Sequence, residues 1–421
     1  MQPIYLDHNA TTPTRPEVVE AMARCYREGY ANPASQHRVG QRVRRLLEDA
    51  REKIAAILDV DLAPPRRDRL IFTSGGTEAN NLAILGIARA SVSPHPLGEG
   101  QRFLTSPLPL GEGPGVRVAG QIIISAGEHQ SVIEPAEHLL EQGWRLDTLG
   151  LTSDGVVRAD QLPPLLEKGS ELFSAKTVLT PFPRLVSVLL GNHETGVLQP
   201  VGKLAAICHR AGVPLHTDAV QVVGKLPVSF RVLGVAAMTV AAHKFQGPPG
   251  IGALIVRNDV PLAPLMFGGH QQSGLRPGTE SVALAAGMAA ALELWQREQD
   301  SHARQLTALR DRFERQLKRS LPDVVVHGEA APRLPQTSNV AFPDLDGQVL
   351  LMALDLAGVA CSVGSACSSG STELSPTLRA MGLSNDIVAC SLRFSFGATT
   401  SEAEIDEAVR RILHVCDELH H

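Results

Sequence analysis

The sequence predicts an α/β fold: a large domain built on a mainly parallel sheet, followed by a smaller α+β C-terminal domain. Three observations predict it. From about residue 68 to 256, short apolar runs alternate with amphipathic stretches, the pattern of buried strands and covering helices. The chain has 421 residues, 43% of them hydrophobic, which supplies a large core and exceeds the usual size of one domain. Polar and Gly-containing motifs follow directly on the apolar runs, where ligands gather in such sheets.

The large domain is expected over residues 14–260, with strands at 70–73, 122–125, 185–190, 213–216 and 251–256 and helices near 77–90, 128–142 and 201–211. Residues 1–13 are assigned with 261–421 to the small domain. There, 281–320 read as a long linking helix, continuous or interrupted. Beyond it come strand candidates at 324–326, 338–342 and 392–396, with helices near 347–357 and 402–415. Residues 91–118 break the pattern, because Ser93 to Gly100 recurs almost unchanged as Ser106 to Gly113. Such Pro and Gly density cannot continue a helix and predicts an exposed insertion. A second irregular stretch lies near 168–183.

A net charge of −5 with dispersed Lys and Arg gives no reason to expect a nucleic-acid surface. No apolar run reaches the ~20 residues that span a bilayer, and Met1 to Asp7 lack the apolar region of a signal peptide. A cytoplasmic protein without membrane contact is expected. The six cysteines, at 25, 208, 361, 367, 390 and 416, contain no Cys-x-x-Cys pair. Free thiols and no metal site are expected.

Five post-strand motifs carry chemistry. Ser74-Gly75-Gly76-Thr77 opens a helix, so its backbone N–H groups either cradle a phosphate or form an ordinary capped turn. His129 begins the next helix, as a cap or as a ring stacked on a flat cofactor. Asn192-His193-Glu194-Thr195-Gly196 offers hydrogen bonds to a ligand or is a polar turn. Asp218, in His216-Thr217-Asp218-Ala219-Val220-Gln221, is a carboxylate at a buried strand end, costly unless paired. Its partner is a structural cation or the protonated nitrogen of a cofactor ring. Lys244, in Ala242-His243-Lys244-Phe245-Gln246-Gly247, ends an apolar run, where desolvation lowers an amine's pKa as imine chemistry requires. Asp218 and Lys244 together read as a pyridoxal phosphate site.

Two further residues belong to the C-terminal part. Cys367 lies in the Gly- and Ser-rich stretch 362–375 and is either a nucleophile that moves between two stations or an incidental surface thiol. Cys361 reads as a buried strand cysteine. Arg393, among apolar neighbours, is either a clamp for a substrate carboxylate or an outward-facing charge.

These motifs, with Tyr5-Leu6-Asp7-His8-Asn9-Ala10-Thr11-Thr12-Pro13 and Asn32-Pro33-Ala34-Ser35, resemble the cysteine desulfurases of the nitrogen-fixation and iron–sulfur-cluster type, within the class V aminotransferases. The resemblance runs nearly end to end and implies the fold type I of pyridoxal-phosphate-dependent transferases. It implies Lys244 as the Schiff-base lysine, Asp218 as partner of the ring nitrogen, Gln221 as a contact to the phenolic oxygen and His129 as the stacking and catalytic histidine. Gly76, Thr77 and His243 would hold the phosphate, with Thr279 reaching it from the neighbouring subunit of a homodimer. Cys367 would be the nucleophile and Arg393 the carboxylate ligand. The chain departs from the pattern twice: His193, beside Asn192, stands where many members carry an asparagine touching the cofactor, and Ala241 where many carry a phosphate-binding serine.

The expected reaction is therefore sulfur abstraction from L-cysteine, giving L-alanine and an enzyme persulfide for an acceptor such as an iron–sulfur scaffold or a tRNA thiolation pathway. Rival expectations are a selenocysteine lyase, an aminotransferase needing no cysteine nucleophile, or a non-catalytic sulfur-assembly scaffold.

Overall fold

The computed structural model describes residues 3–28, 31–90, 120–167, 183–364 and 374–420. The expected insertion 91–118, most of the stretch 168–183 and Cys367 lie outside the described residues. The chain opens with the short strand β1 (Ile4–Tyr5) and then forms β2 (Arg69–Thr73), β3 (Gln121–Ser125), β4 (Arg145–Leu149), β5 (Pro183–Ser187), β6 (Leu215–Asp218), β7 (Ala237–Ala241) and β8 (Gly252–Val256). It closes with β9 (Val325–Val326), β10 (Thr337–Ala341), β11 (Val359–Ala360) and β12 (Ser391–Ser395).

Strands β2 to β8 form one sheet in the order β2-β8-β7-β6-β5-β3-β4. All its pairings are parallel except the two made by β8, which runs antiparallel to β7 and β2. The central strands β3, β7 and β8 are buried at every position, as expected where helices cover both faces. Two buried clusters flank the sheet. One collects Val43, Leu47, Ile54, Val186, Met238 and Val240; the other, Ile71, Ile84, Ile122, Ile124, Leu185 and Leu254.

The helix Val282–Ser320 is unbroken, so the interruption allowed for is absent. Its first half, through Met288, Leu292 and Trp295, packs into the first cluster. Its second half, through Leu306, Phe313 and Leu317, packs into a third cluster with Ile4, Leu6, Phe394 and Phe396. That third core sits on the antiparallel sheet β12-β10-β9. Because β1 pairs with β11 and Leu6 shares this core, the first residues of the chain are built into the C-terminal layer.

Candidate active site

The strands β2, β3, β6 and β7 end on one side, and the residues that follow them converge. A cavity of about 220 Å³ is lined by Gly76, Thr77, His129, His193, Asp218, Gln221, His243 and Lys244, together with Ala10, Asn80, Ser131, Leu189, Gly191, Val220 and Ala241. Eight of the expected residues thus share one pocket. Arg393, Asn192 and Thr279 are not among its lining residues.

Asp218 ends β6 and is only 8% exposed. Its Oδ1 accepts from the Val220 N–H at 2.9 Å and its Oδ2 from Asn80 Nδ2 at 2.7 Å. Both contacts are neutral donors, so the structural cation considered as its partner is not what holds it. Asn80, one turn into the helix Gly76–Ala90, also donates to Ser131 Oγ at 2.8 Å, tying two helices to the carboxylate. The sequence reading missed Asn80; its only signal is its position one helical turn after Thr77.

Lys244 ends the short helical turn Ala242–Lys244 that follows β7. Its Nζ donates to the carbonyls of Asn9 at 2.5 Å and Ala10 at 2.8 Å, so the N-terminal segment supplies the amine's resting contacts. Gln221 Nε2 donates to the same Asn9 carbonyl at 3.0 Å. His243, whose Nδ1 lies 3.2 Å from Thr11 Oγ1, is brought down to about 4 by burial and by the charges of Lys244 and Lys225.

His129 caps the helix Gln130–Glu141: its Nδ1 accepts from the Ser131 N–H at 3.1 Å. The same residue that caps this helix also lines the cavity. The ring of His193 meets it edge-on at 5.3 Å between centroids. Burial, then the charges of His129, Arg393 and Lys244, hold His193 neutral, well below its ordinary value. Asn192 does turn-building work: its Oδ1 accepts from the N–H groups of Glu194 and Thr195, and its Nδ2 donates to the Gly127 carbonyl.

Arg393 is 3% exposed, which excludes the outward-facing charge. It pairs with Asp7 at 2.7 Å and donates to the His193 carbonyl at 3.0 Å. Thr279 is exposed, in a loop held to the helix Gly76–Ala90 by the two bonds from Arg276 to Glu78 at 2.8 and 3.2 Å. Cys361 is half-buried just past β11, and burial pushes its thiol up to about 12, as an inert cysteine requires.

A mixed sheet with a lysine at one strand end and a buried carboxylate at another defines the pyridoxal-phosphate-dependent enzymes of fold type I. The chain belongs to the class-V aminotransferase family, whose model matches residues 4–408, and within it to the cysteine desulfurases. It is 36% identical to the cysteine desulfurase IscS of Dictyoglomus turgidum, over 99% of this chain and 95% of that protein. It is 38% identical to the IscS-like cysteine desulfurase of Mycobacterium tuberculosis, over 96% of this chain and 94% of the relative. Among solved structures, the NifS-like protein of Rickettsia africae superposes with a TM-score of 0.80 at 27% identity, covering 99% of this chain and all of that one.

The residues present fit the cofactor of this family. Gln221 Oε1 and Asn80 Oδ1 are buried with no hydrogen-bond partner among the described residues, and both residues line the cavity. A ligand with polar atoms at that wall would relieve a cost of about 1–3 kcal/mol for each orphaned group. Asp218 lines the same space, and so do Gly76 and Thr77 in the first turn of the helix Gly76–Ala90, where an anion is favoured. Among the described residues no cluster suited to a metal ion occurs, and no helix is long and apolar enough to cross a membrane.

Proposed function

We propose that this chain abstracts sulfur from L-cysteine, leaving L-alanine and a persulfide on Cys367. The observation that carries the proposal is the joint placement of Asp218, Gln221, His129 and Lys244 around one cavity, in a chain whose curated relatives carry that activity in their names. Pyridoxal phosphate, when bound, supplies an aldehyde that captures an amino group and a protonated ring that draws electrons from the substrate's α carbon.

The protein's residues divide the remaining work. Lys244 tethers the cofactor at rest and afterwards moves the Cα proton, for which its amine must leave the Asn9 and Ala10 carbonyls. Asp218 keeps the ring nitrogen protonated, a role suited to a buried carboxylate that accepts two hydrogen bonds. Gln221 would offer its amide N–H group to the phenolic oxygen, with Asn192 holding the turn that carries His193. Gly76, Thr77 and His243 hold the phosphate. His129 shuttles a proton beside the reacting atoms, and Arg393 takes the substrate carboxylate in competition with Asp7. The Cys367 thiolate attacks the substrate sulfur, the carbon–sulfur bond breaks, and the pair left on carbon is protonated. One cysteine and one thiol become one alanine and one persulfide.

The deciding experiment follows alanine release and protein persulfide from L-cysteine in the wild type, Lys244→Ala and Cys367→Ser. We expect both variants to lose cysteine-dependent alanine release, and only Lys244→Ala to lose the visible absorbance that borohydride abolishes. Alanine formation undiminished in Cys367→Ser would remove Cys367 from the reaction. Conversion of cysteine to 3-mercaptopyruvate with a 2-oxo acid as amino acceptor, undiminished in Cys367→Ser, would establish an aminotransferase, and no turnover by either route in the cofactor-loaded wild type would establish a scaffold. Comparing L-selenocysteine with L-cysteine separates the lyase reading.

The same proposal includes a homodimer that delivers sulfur to an acceptor protein such as an iron–sulfur scaffold. Thr279 supports it, being exposed in its own chain while the family pattern gives it a phosphate contact. Mixing Thr279→Ala with Lys244→Ala subunits should then rebuild one complete site per hybrid dimer; no recovery of activity would count against the shared site.

A further inference from the structure

Asp218, Asn80, Ser131 and His129 all line the cavity, and hydrogen bonds join them in that order. The direction of each bond follows from what each atom can donate or accept. A carboxylate only accepts, so the Asn80 atom that meets Asp218 Oδ2 at 2.7 Å is the amide nitrogen; an amide turned the other way would set oxygen against oxygen. The second hydrogen of that nitrogen goes to Ser131 Oγ at 2.8 Å. Asn80 Oδ1 is left buried with no hydrogen-bond partner among the described residues, a cost that an amide at liberty to turn toward the Ser131 hydroxyl would avoid.

The other end of the series is fixed by the backbone. The Ser131 N–H points at His129 Nδ1 at 3.1 Å, closing the cap of the helix Gln130–Glu141, and a proton on that nitrogen would meet it head-on. Nδ1 is therefore bare, which places the proton of the neutral ring on Nε2. Ser131 Oγ lies 2.8 Å from the same Nδ1. Two lone pairs facing each other at that distance would repel, so the hydroxyl hydrogen lies between them. Ser131 thus accepts from Asn80 and donates to His129.

We propose that Asn80 and Ser131 are positioning residues that carry the orientation imposed by Asp218 across to His129, making Nδ1 the acceptor and Nε2 the nitrogen that gives up a proton. The inference rests on the reading of His129 as the residue that passes a proton beside the reacting atoms. It has a consequence at a distance. The Val220 N–H holds Asp218 Oδ1 at 2.9 Å, so in Asp218→Asn the oxygen stays there and the new amide nitrogen takes the place of Oδ2. Donor then faces donor, the Asn80 amide turns over, and its oxygen takes the Ser131 hydroxyl hydrogen away from His129.

The test reads the ring-nitrogen NMR signals of His129 in the full chain labelled in its histidines, at about pH 8, where an ordinary histidine is neutral. Loss of a set of signals in His129→Gln assigns them. In the wild type we expect the form protonated on Nε2 to exceed the other by about tenfold or more, the factor that one hydrogen bond supplies. Ser131→Ala and Asp218→Asn should each move the Nδ1 signal toward that of an unbonded ring nitrogen, and Ser131→Thr should return it to the wild-type position. The double variant should move it no further than Ser131→Ala does, because both changes break the same series. Asp218→Asn alone decides should Ser131→Ala fail to fold. A wild-type ring protonated on Nδ1, an Asp218→Asn chain with unmoved His129 signals, or an equal effect of Asp218→Asn with and without the Ser131 hydroxyl would each overturn the proposal. The expected signals in a protein that releases no alanine would sink the desulfurase reading alone.

Discussion

Asp218 illustrates how much of the site a single side chain implies. A carboxylate 8% exposed and held by two neutral donors would be expensive to keep charged without a cation nearby. Asp218→Asn keeps the shape and one acceptor but removes the charge that would hold a ring nitrogen protonated. Alanine release should fall by about a hundredfold or more, a cost of at least ~2.7 kcal/mol in the barrier, while the unfolding midpoint moves little. Near-wild-type turnover in that variant would contradict the role. Asp218, Lys244, His129, His193 and Gln221 were legible in the sequence because each follows closely on an apolar run. Asn80 was not, since it sits one turn inside a helix, nor were the Asn9 and Ala10 carbonyls. Those reach Lys244 only through tertiary folding. Arg393 stood open between two readings until its 3% exposure removed one.

At the scale of elements, the cavity depends on how tightly strand ends approach. Gly252 of β8 is in register with Thr73 on one side and Ala241 on the other. A Cβ there would lie 2.7 Å from the Gly75 carbonyl carbon and 2.7 Å from the Val240 carbonyl oxygen, both backbone atoms that cannot swing aside. Gly252→Ala should therefore destabilise the chain by about 1–3 kcal/mol through overpacking and loosen the turn at Gly75 and Gly76. Chemical unfolding and equilibrium binding of pyridoxal phosphate measure the two effects, and an unperturbed variant would show that the strands can part at no cost. Apolar runs were enough to locate β2, β3, β6 and β8 within a residue or two. They missed β4, because Arg145-Leu146-Asp147-Thr148-Leu149 is partly exposed and carries two charges that pair with each other at 2.7 Å. The run expected at 185–190 ends as a strand at Ser187, although the Val188 and Leu190 N–H groups still bond the His216 and Asp218 carbonyls at 3.1 and 2.8 Å.

Over the whole molecule, buried ionisable groups set how stability responds to pH. His216 is fully buried between Ser187 and Thr239, and desolvation brings it down to about 3; His8 and His327 are brought down to about 4 by the same cause. Each stays neutral in the fold while the unfolded chain takes up its proton near pH 6.5, so the stability they confer is lost as pH falls from about 6.5. Glu128 acts in the opposite sense: burial pushes it up to about 8, so its contribution is lost as pH rises from about 4.5 through 8. Urea midpoints should fall from about pH 6.5 toward pH 4.5, where the histidines outnumber Glu128. In Glu128→Gln the alkaline loss should flatten. A midpoint that climbs steadily on acidification would contradict the neutral histidines.

The N-terminal strap across the pocket has a consequence for how the protein is made. Asn9 and Ala10, whose carbonyls receive Lys244, are synthesised long before the residues that hold them in place: Asn9 N–H is held by Ser395 Oγ at 2.9 Å and Asp7 by Arg393. Each pair is separated by 386 residues. The large sheet can form on a nascent chain, but one wall of the pocket cannot. Synthesis order thus withholds the finished amine until Arg393 and Ser395 have been made, and a nascent chain short of them carries the fold's centre without its working edge.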